Sequence, residues 1–123
     1  MGNNDVQPSV LRETSFENKV IGYSIEYLSQ LESQETVLSD YLGVSPIFKT
    51  DTKKDTVTEW GLEGLSKIRM LTDKPLVAIG NIHLKNAKAV MEAGADCIAV
   101  VSEICGAENP QKAAFKLKNE ILL

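Results

Sequence analysis

The stretch PLVAIGNIHLKNAKAVMEAGADCIAVVS, residues 75–102, decides how the chain folds. It opens on one apolar run, Pro75 to Ile82, and closes on another, Cys97 to Ser102, and both read as strands. Between them Leu84, Ala87, Val90 and Met91 recur at near-helical spacing, and Gly94 is placed to cap a helix ending near Ala93. Strand, helix and strand in so short a span predict a βαβ unit with parallel strands and a right-handed crossover. Both runs are continuously apolar rather than alternating, the pattern of strands covered by helices on both faces.

The same grammar extends in both directions. KVIGYS (Lys19 to Ser24) and YLGVSPIF (Tyr41 to Phe48) read as two further strands. Leu62, Leu65, Ile68 and Leu71 mark one more helix; Ala114, Leu117 and Ile121 mark another, with Pro110 suited to its first position. A helix is also expected over Tyr27 to Gln34, and a short one over Ser9 to Glu13 that would close an earlier unit. The resulting order of β, α, β, loop, α, β, α, β, α gives four consecutive βα units in one domain spanning residues 1–123, with no linker or low-complexity segment. On the residues alone, such a segment belongs to a closed (βα)8 barrel or to an open doubly wound sheet. A complete barrel takes about 250 residues and a compact one about 200, so the 123 residues here have room for half.

Composition excludes several classes. With 43% apolar and 24% charged residues the chain has the make-up of a soluble globular domain. Its longest uncharged apolar stretch, around Cys97 to Ser102, falls far short of the roughly 20 residues that span a bilayer, and MGNNDVQPSV lacks the basic and apolar regions of a signal peptide. A cytoplasmic protein without a membrane partner is expected. The net charge of -4 carries no long run of one sign, and Tyr23, Tyr27, Phe48 and Trp60 do not interleave with basic residues, so no nucleic-acid partner is expected. Those aromatics are read as core residues or loop anchors. Cys97 and Cys105 form neither a CxxC pair nor a zinc spacing, His83 is the only histidine, and both cysteines are read as packing residues in a reducing compartment.

In a βα barrel the loops after the strand C-termini build the active site. The first run ends at Ser24, the second leads into Lys49-Thr50-Asp51-Thr52-Lys53-Lys54-Asp55-Thr56, the third reaches Gly80-Asn81, and the fourth ends at Ser102. Hydroxyls, an ammonium and small residues with free backbone N–H groups are the groups that hold phosphate. The pairing of Gly80-Asn81 and Val101-Ser102 with the lysine-bearing loop points to a phosphate site, although TDTKKDT also reads as a plain solvated loop. Asp5, in GNND, is on its own an acidic residue near a terminus.

GNND with its short helix, then IGYS, DYLGVSPIFKTDTKKDT, GLEGL, PLVAIGNI, EAGADCIAVVSEI and NPQKAA, in that order, resemble the second half of the thiamine phosphate synthases nearly end to end. The resemblance implies an α/β chain forming the C-terminal half, about four βα units, of a TIM (βα)8 barrel. It implies a transferase joining hydroxymethylpyrimidine diphosphate to thiazole phosphate, with magnesium as cofactor and phosphorylated small molecules as partners. By that resemblance Asp5 would bind magnesium, Ser24 would contact the pyrimidine substrate, and Lys53 would hold the diphosphate. Thr50, Asp51, Thr52, Asn81, Val101 and Ser102 would hold the thiazole phosphate. The implied reaction ionises the pyrimidine C–O bond to a benzylic-type cation that the thiazole nitrogen captures, which needs charge neutralisation and positioning but no general base.

Three departures bear on that site. Asn81 stands where the family has a glycine, and Asn tolerates positive φ while keeping its N–H; Lys49 replaces the usual proline, and Ser45 a frequent glycine. The family's first four strands, with a Gln/Arg/Lys cluster for diphosphate and a second magnesium carboxylate, have no counterpart, so a truncated frame or fragment missing its N-terminal half is expected. Two alternatives follow: a non-catalytic half-barrel that self-associates to cover its sheet edges, and a thiazole tautomerase on the same barrel. The latter resembles this chain but carries histidines where Glu26 and Pro46 stand here.

Overall fold

The computed structural model describes residues 2, 4–14, 16–49 and 59–122. Four short strands, β1 (Gly22–Ile25), β2 (Tyr41–Val44), β3 (Leu76–Ile79) and β4 (Cys97–Ala99), form one parallel sheet in the order β1-β2-β3-β4. Helices α1 (Pro8–Arg12), α2 (Gln34–Leu38), α3 (Gly61–Leu71), α4 (Ala87–Glu92), α5 (Ser102–Cys105) and α6 (Pro110–Leu122) accompany it, with a 3-10 turn at Leu28–Glu32. The α/β order of four βα units is the expected one. Ser24, Gly43, Val77 and Cys97 share one register row, and Ile25, Val44, Ala78 and Ile98 the next.

Alternation along the strands sends two sets of side chains to opposite faces. Tyr23, Ile25, Leu42, Val44, Leu76 and Ala78 are buried, and pack in one cluster with Leu65 and Ile68 of α3, Ala87 and Val90 of α4, and Leu117 of α6. The other set differs: Ser24, Val77, Ile79 and Ala99 are only half-buried, and Cys97 is exposed. Continuous apolar runs predict cover on both faces, but among the described residues one face is covered. The same feature corrects the reading of the cysteines as packing residues, because Cys97 on the bare face and Cys105 at the end of α5 are both exposed. Tyr23 and Trp60 are buried as expected, whereas Tyr27 is exposed.

Every strand is shorter than its apolar run. Pro46 has no N–H to give a ladder, and Gly80 and Asn81 have φ of 116° and 50°, so the run-ends become loops. The single helix expected over Tyr27 to Gln34 is broken at Ser33, which is extended and caps α2 by accepting the Glu35 N–H at 3.1 Å. Gln30 fixes the 3-10 turn by accepting the N–H groups of Glu26 and Tyr27 at 2.6 and 2.9 Å and donating to the Tyr23 hydroxyl at 2.9 Å. Pro110 opens α6, and Gly94 follows the end of α4 with φ 128°. Helix α5 has no precedent in the sequence pattern.

The N-terminal ends of the strands are fastened by two matching clamps. Arg12, in the last turn of α1, donates to the carbonyls of Glu17, Lys19 and Leu38 at 2.8 to 2.9 Å and to Asp40 Oδ2 at 2.8 Å. Asp40 stands just before β2; its Oδ2 accepts the Ile21 N–H at 2.7 Å, and its own N–H donates to the Ile21 carbonyl at 2.7 Å. Arg69, in the last turn of α3, donates to the carbonyls of Thr72, Lys74 and Gly94 and to Asp96 Oδ2 at 2.8 Å. Asp96 stands just before β4, accepts the Leu76 N–H at 2.9 Å and donates its own N–H to the Leu76 carbonyl. Gly94 is required here, since a Cβ would lie 2.6 Å from Arg69 Cγ. Lys74 links the two halves by donating to the carbonyls of Val37 and Ser39.

The Ile21 N–H first, and the Arg12 guanidinium second, hold the Asp40 carboxyl below the usual carboxylate range. A depressed folded-state value stabilises the fold above the unfolded-state value, and that stabilisation disappears as pH falls through the folded-state one. The thermal midpoint is therefore expected to fall as pH drops below about 4, and Asp40→Asn to lower the midpoint at pH 7 while flattening this acid limb. An Asp40→Asn variant with an unchanged acid limb would show that Asp40 is not the group responsible.

Candidate functional site

Because Arg12 and Arg69 mark the N-terminal ends of the strands, the loops that follow β1 to β4 gather at the opposite end. On the less covered face of the sheet there, a Cβ on Gly43 would lie 3.3 Å from Ser24 Oγ and 3.7 Å from Ile79 Cδ1, so the half-buried Ser24 and Ile79 flank the buried Gly43 between them. Ser24 does not end its strand as the sequence suggests; it lies inside β1, which runs on to Ile25, and its hydroxyl faces the uncovered side.

Beyond the strands, the loops after β2 and β3 are stitched together. The Ile47 N–H donates to the Ile79 carbonyl at 2.8 Å and the Phe48 N–H to the Gly80 carbonyl at 3.2 Å, which prolongs the ladder past the last sheet residues. A Cβ on Gly80 would come within 2.8 Å of Pro46 Cα and 2.9 Å of the Ile47 nitrogen, so this approach and its φ of 116° admit only glycine. The far side of the same loop returns beside it: Trp60 and Gly61 donate their N–H groups to the carbonyls of Pro46 and Ile47 at 3.0 and 2.7 Å, and the Lys49 N–H donates to Glu59 Oε1 at 3.2 Å. Lys49 and Glu59 bracket residues 50–58, and Thr50, Asp51, Thr52 and Lys53 lie outside the described residues.

Asn81 adopts a positive φ of 50°. Its side-chain amide donates to the Lys49 carbonyl at 3.2 Å, and its own carbonyl accepts from Asn86 Nδ2 at 3.1 Å. On the neighbouring strand, the exposed Val101 leads into α5, whose first residue is Ser102. The Leu84 N–H donates to Glu103 Oε1 at 3.2 Å and joins the loop after β3 to α5. Asn81, Val101 and Ser102 thus occupy adjacent turns, and none of their N–H groups has an acceptor among the described residues. Unpaired backbone donors on neighbouring turns suit an anion.

Asp5 stands apart from these residues. Its Oδ2 accepts the Gly2 N–H at 2.8 Å in a turn that also holds the Gln7 amide, on the chain leading into α1. Among the described residues no three His, Cys, Asp or Glu come together as a metal site, and the single Asp5 carboxylate would leave most of the six positions around magnesium to water, substrate phosphates or further carboxylates. The described residues by themselves do not fit a magnesium centre.

Sequence reasoning missed Asn86, Glu59 and Glu103, which act as braces. Asn86 left one trace, standing three residues after His83, whose N–H its Oδ1 accepts at 2.8 Å, the spacing of a reciprocal cap. Trp60 Nε1 is buried with no partner among the described residues.

A family model described as thiamine monophosphate synthase matches residues 1–104. A thiamine-phosphate synthase of Albidiferax ferrireducens is 46% identical over 121 residues, covering 98% of this chain and 55% of the relative. One from Vibrio parahaemolyticus is 41% identical over 114 residues, covering 93% of this chain and 56% of the relative. Among solved structures, a thiamine phosphate pyrophosphorylase from Pyrococcus furiosus superposes with a TM-score of 0.87 at 37% identity, covering 99% of this chain and 57% of that one. The chain spans about half the length of the curated relatives it matches. By these matches the chain belongs to the thiamine monophosphate synthase family.

Proposed function

We propose that this chain carries the thiazole-phosphate cradle of a thiamine phosphate synthase, the transferase that joins hydroxymethylpyrimidine diphosphate to thiazole phosphate in thiamine biosynthesis. The observation that supports the reading best is the set of N–H groups on Asn81, Val101 and Ser102, which lack acceptors among the described residues in a chain of this family. In this reading those three residues, with Thr50, Asp51 and Thr52, receive the thiazole phosphate; Ser24, on the uncovered sheet face, meets the pyrimidine; and Lys53 neutralises the departing diphosphate. Positioning the nucleophile and stabilising the leaving charge is what such groups can contribute. Magnesium enters only as an ion that Asp5 would help to hold once substrate phosphates and further carboxylates supply the remaining oxygens. The setting is a cytoplasmic one, since the substrates are charged metabolites.

The bare sheet face carries a second part of the proposal. Residues 1–123 form one partial domain, the four βα units of half a (βα)8 barrel, and the strip around Ser24, Gly43, Val77 and Ile79 faces what would be the barrel interior. Four further units, from a longer chain or a partner, would cover it. A second copy offers a cover of the same kind, with β4 of one pairing to β1 of the other. In light scattering after size exclusion, the isolated chain is expected to run above its monomer mass of 13.5 kDa; a clean monomer that unfolds cooperatively would argue against the uncovered face being sticky.

With both substrates and magnesium, the 123-residue chain alone is expected to give no thiamine phosphate, and robust turnover by it would overturn the view that the site is incomplete. In a full-length protein, Lys53→Ala is expected to lower turnover about 10²–10³-fold, the cost of losing one preorganised charge donor, while thiazole phosphate still binds. Equal loss of turnover and thiazole phosphate affinity would refute the role given to Lys53.

A further inference from the structure

Asn81 and Asn86 form a chain of side-chain amides that the phosphate reading does not use. The orientation of each amide is forced by its neighbours. The His83 N–H needs an acceptor and receives Asn86 Oδ1 at 2.8 Å, which turns Asn86 Nδ2 toward the Asn81 carbonyl at 3.1 Å. Asn81 Nδ2 faces another carbonyl, that of Lys49, at 3.2 Å. Lys49 in turn donates its N–H to Glu59 Oε1 at 3.2 Å. A line of hydrogen bonds therefore runs from the start of α4, through the turn after β3, to the two residues that bracket 50–58.

We propose that Asn81 is a positioning residue: its side-chain amide, braced by Asn86, sets the distance between the anion-binding turn after β3 and Lys49, the point from which the chain departs into Thr50 to Lys53. Two features favour this over incidental surface contact. Gly80 already packs against Pro46 so closely that no Cβ fits, so small movements of either loop cannot be absorbed there. Lys49 has neither a rigid ring nor a burial constraint of its own, and its backbone is held on both sides, by Asn81 at the carbonyl and Glu59 at the N–H. A glycine at position 81 would accept the φ of 50° equally well but would leave the Lys49 carbonyl unbraced. The selective gain of asparagine is thus the brace rather than the backbone conformation.

This rests on the reading of the Gly80-Asn81 turn as part of a phosphate site, and two measurements on the 123-residue chain separate the claims. Amide hydrogen exchange reads the brace without any ligand. Asn81→Gly, which keeps the positive φ, and Asn81→Asp, which replaces the donor by an acceptor, are each expected to speed exchange at Phe48 and Lys49 about three- to ten-fold, the loss of one net hydrogen bond, with Leu42 and Val77 unchanged. Asn86→Asp, which keeps the acceptor for the His83 N–H and removes the donor to Asn81, should do the same more weakly. Uniform acceleration across the sheet, or none at Phe48 and Lys49, would overturn the brace. Titration with inorganic phosphate, followed through the Asn81 and Ser102 amide resonances, reads its purpose. Weakening of about three- to ten-fold in both Asn81 variants is expected; unchanged affinity beside faster exchange would overturn the positioning role. If the parent chain shows no shift at those amides, the phosphate reading fails instead, while the exchange arm still decides the brace.

Discussion

The apolar layer between one face of the sheet and helices α3, α4 and α6 is the constraint on which the other features rest. Parallel strands cannot be joined by tight hairpins, so each needs a helix to carry the chain back, and that helix must bury an apolar stripe to stay in place. Leu65, Ile68, Val90 and Leu117 meet Leu42, Val44, Leu76 and Ala78 in that layer. Once it forms, all four strands point one way and their C-terminal loops must gather at one end. Asn81, Val101 and Ser102 owe their proximity to this, rather than to any direct attraction among themselves.

Much of this was written in local patterns. The βαβ period of residues 75–102, Pro110 at a helix start and Gly94 at a helix end are signals carried by neighbouring residues, and the structure follows them. The need for positive φ at Asn81 was legible too, because asparagine is among the few residues that accept it. Two things were not. The less covered face escaped because Val77, Ile79 and Ala99 look apolar whether or not anything covers them. The braces escaped because Arg12 and Asp40 lie 28 residues apart, Arg69 and Asp96 27 apart, and Leu84 and Glu103 19 apart, distances at which no periodicity connects them.

The candidate site residues divide along the same line. Backbone donors such as those of Asn81 and Ser102 can be anticipated, since a glycine-bearing turn after a strand and a hydroxyl at the next helix start advertise themselves. Side chains that orient those turns do not, because Asn86 and Glu59 are ordinary polar residues until the fold places them beside a backbone group in need of a partner.

The two Arg–Asp clamps have a consequence for how this fold can change. Each repeats the other bond for bond, with an arginine at the end of a helix, an aspartate ahead of a strand, and both backbone groups of the residue at Ile21 or Leu76 engaged by that aspartate. Strand order and register are therefore secured in pairs from below, at the end remote from the loops. The residues at 49 and 81 take no part in these clamps, so a change there leaves them intact. The frame is in this way anchored independently of the rim where ligands would be met.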